Sequence, residues 1–339
     1  MIRLDSIKIL APTDCLVDYD NNSFKASKDI ERGVIVKDSL TANNIDFGFN
    51  RFVIDSKADN VVFEVSAKAL KNDYSEGINI NTFNQLIDNL NRTNVVKLDA
   101  SVIYNEGKLL RADVTDNVKF DAYKGSNFYT DMACIPLPNK YDITSYDRVK
   151  NLGLVFKGKQ KSFKERQIFY DKITELVSNK NGKAFLNSID THKVFKDFKN
   201  TIRTEGNFNQ LKTIRKYIGS NELSDVLSSN AKVNYELFKK ITKQADTEVL
   251  QLFNRYEGMK LKDVVQRRGI EGIIQDAGYN WQYLELWLKN MSPNNYRRTS
   301  DRGVGIPLFK KIFNELKAKN NNVDATIIDL FLDALSNVA

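Results

Sequence analysis

Histidine and cysteine are nearly absent: the 339 residues hold one histidine, His192, and two cysteines, Cys15 and Cys134. Two cysteines are too few for a disulfide framework or a cysteine zinc site, and they fit a reducing cytoplasm. A single histidine excludes a paired-histidine metal site and leaves little for a histidine-dependent triad. Its context, D-T-H-K, reads as an exposed turn. Any metal would therefore have to be hard and oxygen-liganded, magnesium or manganese. No uninterrupted apolar run is long enough to span a bilayer. Met1 to Leu10 alternates polar and apolar residues without a secretory apolar core, so a cytoplasmic protein with no membrane partner is expected. There is no Walker-type G-x-x-x-x-G-K phosphate loop, no internal repeat and no low-complexity segment.

What is present is an ordinary globular composition, 42% hydrophobic and 28% charged, with length for about two domains. The formal charge is +8 and the isoelectric point about 9.1, which points to an anionic partner, most often nucleic acid. Residues 1–219 carry 34 Lys/Arg against 28 Asp/Glu, and residues 220–339 carry 17 against 15, so the excess lies in the first part.

Period-two alternation predicts strands at Ile2–Ile9, Val34–Lys37, Phe52–Asp55, Asn60–Leu70 and Leu109–Val118. Glu64 then shares a face with Val62, Ser66 and Lys68, and Arg111, Asp113 and Thr115 share another. Phe83, Leu86, Ile87 and Leu90 form a helical stripe within Asn81–Asn91, with Asn79 or Asn81 as its cap. Ile143–Asn151 reads as a short helix. A lysine-rich turn, Lys157, Lys159, Lys161 and Lys164, leads into a strand carrying Arg166, Tyr170 and, beyond it, Lys172. Helix-compatible residues follow to Asn179. Val194–Phe208 reads as one strand with Arg203 and Glu205 on one face. Gln210–Tyr217, with Arg215 and Lys216, reads as a short basic helix stopped by Gly219. From Asn221 onward amphipathic helices dominate. The expected architecture is α+β: an N-terminal antiparallel sheet with helices over residues 1–219, then an all-α domain over residues 220–339.

Three strands thus offer a carboxylate near a cation, Glu64/Lys68, Asp113/Arg111 and Glu205/Arg203, and a fourth offers Tyr170/Lys172. A tyrosine flanked by cations is a candidate nucleophile toward a DNA phosphate, because positive charge favours the phenolate. Carboxylates holding a divalent cation and basic groups steadying developing charge complete that chemistry. The competing reading is four solvated strand faces with ion pairs, and a core tyrosine with a hydrogen-bonded tip.

The succession F-E-V-S-A-K, L-R-A-D-V-T, R-Q-I-F-Y-D-K-I-T-E-L and I-R-T-E resembles the filamentous-phage gene II/X replication proteins and related plasmid initiators, over roughly residues 1–219. The resemblance implies a rolling-circle replication initiator: a site-specific, metal-dependent nicking-closing endonuclease forming a 5′-phosphotyrosyl intermediate at an origin. Such initiators lack a two-histidine motif, in keeping with this chain. By position the resemblance makes Tyr170 the nucleophile with Lys172 beside it, and Asp113 and Glu205 the acidic strand residues, accompanied by Arg111 and Arg203. Glu64 and Lys68 match less tightly. Many plasmid initiators have a tyrosine where this chain has Phe156, and Tyr217 is the fallback nucleophile. Magnesium or manganese on Asp113, Glu205 and Glu64 is the expected cofactor. The expected partners are supercoiled and single-stranded origin DNA, with a homodimer and a host helicase as candidates. Contacts to DNA are expected from Lys68, the lysine turn, Arg166, Arg215, Lys216 and the basic loop Arg297, Arg298 and Arg302. The alternative function is a non-catalytic sequence-specific DNA-binding protein, a partition or regulatory factor.

In the tail, helix, Gly278 turn and helix outline a helix-turn-helix. The second helix, with Trp281, Leu284, Leu286, Trp287 and Leu288, is apolar enough to be a bundle helix burying both tryptophans instead.

Overall fold

The computed structural model describes residues 1–28, 35–40, 48–119, 129, 132, 137, 140–146, 153–159, 165–242, 261–277, 280–291, 306–319 and 331–338. The chain divides into two compact units: Met1–Phe120 with Thr144–Phe238 and Ala334–Ala339, and Asp121–Ile143 with Lys239–Asp333. The first holds an extensive antiparallel sheet with interspersed helices, and the region that follows in sequence is more helical.

The strands in chain order are β1 (Leu4–Pro12), β2 (Leu16–Tyr19), β3 (Phe24–Lys28), β4 (Ile35–Leu40), β5 (Phe49–Asp55), β6 (Asn60–Ser66), β7 (Val96–Leu98), β8 (Lys108–Lys119), β9 (Tyr141–Ser145), β10 (Gly153–Gly158), β11 (Arg166–Asp171) and β12 (Thr201–Phe208). Ten of them form one sheet in the order β3-β4-β5-β6-β1-β8-β12-β11-β10-β9, and β2 pairs with β7. Every pairing from β3 through β10 is antiparallel. Alternation explains the sheet's two faces. Val61, Phe63 and Val65 of β6 are buried while Val62, Glu64 and Ser66 turn the other way. All eight residues of β12 are buried, so both of its faces are covered. On one side, Phe169 of the neighbouring β11, paired with Thr204, meets Phe238 of the helix Val233–Thr242, with ring centroids 5.6 Å apart. On the other, Arg203 lies under the rings of Tyr74 and Phe198.

The helices follow local rules. α1 (Phe83–Asn91) buries its expected stripe, and the Asn79 carboxamide accepts from Asn81 and Thr82 N–H at its start. α2 (Ala100–Glu106) is capped by Asp99. α3 (Lys172–Ser178) begins directly after β11, and α4 (Lys180–Leu186) starts where Asn179 ends it and caps the next turn. α5 (Thr191–Phe198) precedes β12, and α6 (Leu211–Ile218) ends on Gly219 with φ 97°, a left-handed stop suited to glycine.

Four expectations change. Val194–Phe208 is not one strand: Asp190 caps α5, and Val194 and Phe198, four residues apart, are buried on its inner face. The strand from Asn60 ends at Ser66, whose hydroxyl accepts the Lys68 N–H at 3.3 Å and turns the chain into a helical stretch. Lys68 therefore does not extend the Glu64 face. Ile143–Ser145 lies in β9 rather than a helix. The first unit also continues past residue 219. Leu109 N–H donates to Asn221 carbonyl at 2.7 Å, Leu223 N–H donates to Gly107 carbonyl at 2.8 Å, and Leu223, Val226, Leu227 and Leu237 are buried.

In the second unit, Leu261–Asp276, Trp281–Met291 and Ile306–Lys319 pack around Ile270, Ile274, Leu284, Phe309, Ile312 and Phe313. Trp281 meets Phe313 edge-on at 5.2 Å, as the bundle reading expects, but Trp287 is 36% exposed, so only one tryptophan is packed. Of the helices expected from Asn221 onward, those falling at residues 243–260 and 320–330, and the turn at Gly278, lie outside the described residues. Among the described residues, no helix is long and apolar enough to cross a membrane.

Candidate functional site

Strand order brings the distant polar residues together. Five adjacent strands, β6-β1-β8-β12-β11, place Glu64 opposite Lys8, Lys8 opposite Arg111, Asp113 opposite Asn207, Thr115 opposite Glu205, and Arg203 opposite Tyr170. Since side chains alternate with period two, these residues share one face of one sheet.

Two hydrogen-bonded groups occupy that face. In the first, Arg111 donates to Glu64 at 2.8 Å and to Asp113 at 2.6 Å, and the Asn207 carboxamide donates to Asp113 at 3.0 Å. The second surrounds Tyr170. Its hydroxyl donates to Glu205 and accepts from Lys172 Nζ at 3.0 Å, while Arg203 Nε donates to the same Glu205 oxygen at 3.0 Å. Arg203 also pairs with Asp5, which accepts from the Tyr74 hydroxyl at 3.2 Å. Lys172 pairs with Glu175 at 3.0 Å. The Tyr146 ring stacks on Tyr170 with centroids 4.9 Å apart.

Burial sets the electrostatics. Tyr170 is 1% exposed, and burial together with the Glu205 carboxylate holds its phenol well above the usual tyrosine range, against the pull of Lys172 and Arg203. Lys172 and Arg203 do pull toward the phenolate, as expected, but desolvation and Glu205 outweigh them in this arrangement. Burial and Asp5 raise Glu205, making it a better proton acceptor than an ordinary carboxylate. Burial also raises Asp113. Asp5 is lowered: burial opposes this, and Arg203, Lys172 and Lys68 outweigh it.

Oxygen donors around Asp113 and Glu205 suit a hard cation. Ser6 Oγ, Thr115 Oγ1 and Asn207 Oδ1 are buried without a hydrogen-bond partner, and by register they flank the two carboxylates. Magnesium binds typically through one or two carboxylates plus substrate phosphate oxygens, so this donor set fits it or manganese. Asp113 and Glu205 would hold such an ion. Among the described residues no three carboxylate, histidine or cysteine side chains form a cluster able to hold a metal, so Glu64, Asp113 and Glu205 make no ready three-carboxylate cage. Arg111 pairs with both Glu64 and Asp113.

The other expected site residues scatter. Lys68 lies over the Phe185 ring at 5.7 Å. Lys157, Lys159 and Arg166 are exposed at the adjoining ends of β10 and β11, and Lys161 and Lys164 lie outside the described residues. Arg215 donates to Asn221 at 2.8 Å, and Lys216 pairs with Glu165 at 2.8 Å. Tyr217 donates to Glu165 at 2.7 Å and stacks on Phe208, a packing role that weakens it as a nucleophile. Arg297, Arg298 and Arg302 lie outside the described residues.

Sequence reasoning missed Asp5, Tyr74, Tyr146 and Asn207. Plain alternation sets Asp5 with Ile7 and Ile9 on the apolar face. A register shift between Leu4 and Ser6 inserts one extra residue and redirects Asp5 toward Arg203. Asn207 had a legible signal, since it shares period-two spacing with Arg203 and Glu205. No protein-family model, curated protein or solved structure matches this chain.

Proposed function

We propose that the first unit is a rolling-circle replication initiator of the gene II/X type, a site-specific DNA nicking-closing enzyme with Tyr170 as nucleophile. One observation carries this reading: Tyr170, its proton acceptor Glu205, the cations Lys172 and Arg203, and the carboxylate of Asp5 form one continuous hydrogen-bonded group against one sheet face, with Asp113 in a neighbouring group on the same face. A purely structural core has little use for so many charged groups, since burying them costs several kcal/mol per ion before pairing.

The chemistry follows from the contacts. Tyr170 Oη attacks the scissile phosphorus as its proton passes to Glu205, which already accepts that hydrogen bond. The bond from phosphorus to the 3′ oxygen breaks, and that oxygen receives, through water, the proton that Glu205 took, leaving a free 3′ hydroxyl, a 5′-phosphotyrosyl bond and an unprotonated Glu205. Lys172 steadies negative charge on the phenol oxygen, and Arg203 keeps Glu205 oriented. Attack by a 3′ hydroxyl reverses the steps and rejoins the strand without ATP. A magnesium or manganese ion, when bound at Asp113 and Glu205, would supply positive charge to the phosphate.

The burial of Tyr170 favours a second reading, a non-catalytic DNA-binding protein in which the same web only holds strands together. Supercoiled plasmid carrying the cognate origin, incubated with magnesium, separates them. Nicking is expected to give open circles with protease-resistant peptide on the 5′ end, absent in Tyr170→Phe. Binding without any nick or adduct would overturn the enzymatic reading.

A further inference from the structure

A second feature lies beside this face. A cavity of about 190 Å3 is lined by Lys68, Lys71 and Arg92 together with Asn89, Thr93 and Ser188, over an apolar floor that includes Phe49 and Leu90. None of its lining residues is acidic, and among the described residues none of the three cations pairs with a carboxylate within 4 Å. It holds more than one water, with room for a phosphate group with part of its sugar.

Its wall is held in an unfavourable conformation. Lys71 has φ 55° and ψ −114°, a backbone geometry that glycine supplies at the first central position of a type II′ turn and that a side chain opposes. Such strain persists only where the surroundings over-determine it, and it concentrates at binding sites. Here the surroundings do so. Asn89 Nδ2 donates to Ala69 carbonyl at 2.9 Å, Asn72 Oδ1 accepts from Asp190 N–H at 2.8 Å, and Asp73 is held by Gln85 at 2.8 Å and by Lys193. The outcome is a lysine, where glycine would be easier, on the wall of a cationic cavity. The cavity also adjoins the tyrosine cluster. Lys68 lies over the Phe185 ring, which packs edge-on against Tyr74 at 5.1 Å, the residue that donates to Asp5.

We infer that this cavity is a nucleotide subsite for single-stranded DNA, with Lys68, Lys71 and Arg92 taking a backbone phosphate and the apolar floor taking the attached sugar or base. The identity of the polymer rests on the DNA-cleaving reading of the tyrosine face; the cavity's anion chemistry does not.

The test measures binding of a short single-stranded oligodeoxynucleotide without magnesium, so that cleavage stays silent, to wild type, Lys71→Gly and Arg92→Gln. Each variant should bind about tenfold more weakly, as for a lost hydrogen bond to a charged group. Each should also flatten the salt dependence by about 0.7 in log–log slope. Lys71→Gly should in addition melt at a higher temperature than wild type, because the turn's strain is relieved. This pairing of gained stability with lost affinity cannot come from misfolding. Unchanged affinity in both variants overturns the subsite, even if Tyr170-dependent nicking is found. Lost affinity supports it, even if no protein nicks DNA. If inorganic phosphate alone stabilises wild type but not Arg92→Gln, while oligonucleotide affinity is equal in both, the cavity is a small-anion site and the nucleotide assignment is overturned.

Discussion

Replacing Tyr170 by Phe removes one oxygen, yet that oxygen sits between two charged groups in the driest part of the sheet face. It donates to Glu205 and accepts from Lys172 at 3.0 Å, with the side chain 1% exposed. A hydrogen bond to a charged group contributes about 1.5–3 kcal/mol, and leaving a buried partner unsatisfied costs a similar amount. Glu205 keeps Arg203 and Lys172 keeps Glu175, so part of the loss is compensated. A destabilisation of about 1–3 kcal/mol is expected, or roughly 2–12 °C in melting temperature for a unit of this size. Thermal unfolding monitored by circular dichroism reads the stability, and denaturing gels of protein–DNA adducts read the chemistry. A variant as stable as wild type would refute the buried hydrogen-bond web. A variant that still forms a covalent adduct would refute Tyr170 as the nucleophile, leaving the web intact.

Arg203→Met strands Asp5 and Glu205 without their shared cation, and breaking a buried pair this way costs about 3–5 kcal/mol; chemical denaturation should show it, and a loss below about 1 kcal/mol would contradict the burial argument. The same variant tests pH dependence. Asp5 is depressed in the fold chiefly by Arg203 acting against burial, so its contribution is present above the unfolded carboxylate range and is lost as pH falls through the folded value. A denaturation series from neutral pH into the acid range should lose that part of its slope in Arg203→Met. Asp113→Asn should abolish magnesium-dependent cleavage while leaving oligonucleotide affinity equal or higher, since a negative charge disappears; cleavage retained at wild-type rates in a metal titration would remove Asp113 from the site. Replacing Lys157, Lys159 and Arg166 together by Ala should flatten the salt dependence of single-strand binding by about 0.7 per lost phosphate contact, and an unchanged slope would place the DNA elsewhere.

Much of the sheet was legible because its strands alternate cleanly. β6 shows Val61, Phe63 and Val65 against Glu64, and β8 sets Arg111 beside Asp113, so their polar faces could be written down from spacing alone. The sequence could not say which strands are neighbours. β1 lies between β6 and β8, although β6 follows it by about fifty residues, and only that order lets Arg111 bridge Glu64 and Asp113. Local capping also defeated periodicity twice. Val194–Phe208 reads as one strand, but Asp190 captures the first turn and residues up to Phe198 form a helix. Ser66 ends β6 by the same kind of contact. The Asp5 bulge left no mark that a period-two reading can detect.

If Tyr170 is the nucleophile proposed above, the face that buries it must open to admit DNA. The ring directly against it is Tyr146, whose hydroxyl is itself pushed up to about 12 by burial and Glu205, so Tyr146 is no better ionised as a substitute nucleophile. Tyr146 follows β9, the terminal strand of the sheet, and edge elements open at lower free energy than central ones. Displacing it would admit solvent and phosphate to Tyr170 without disturbing β12 or β8, which carry Glu205 and Asp113 from the sheet's centre. Rehydration lowers the burial contribution that now holds the phenol high, while Lys172 and Arg203 stay in place. Lys172 and Arg203, outweighed by burial in the present arrangement, would then act in the direction the sequence implied.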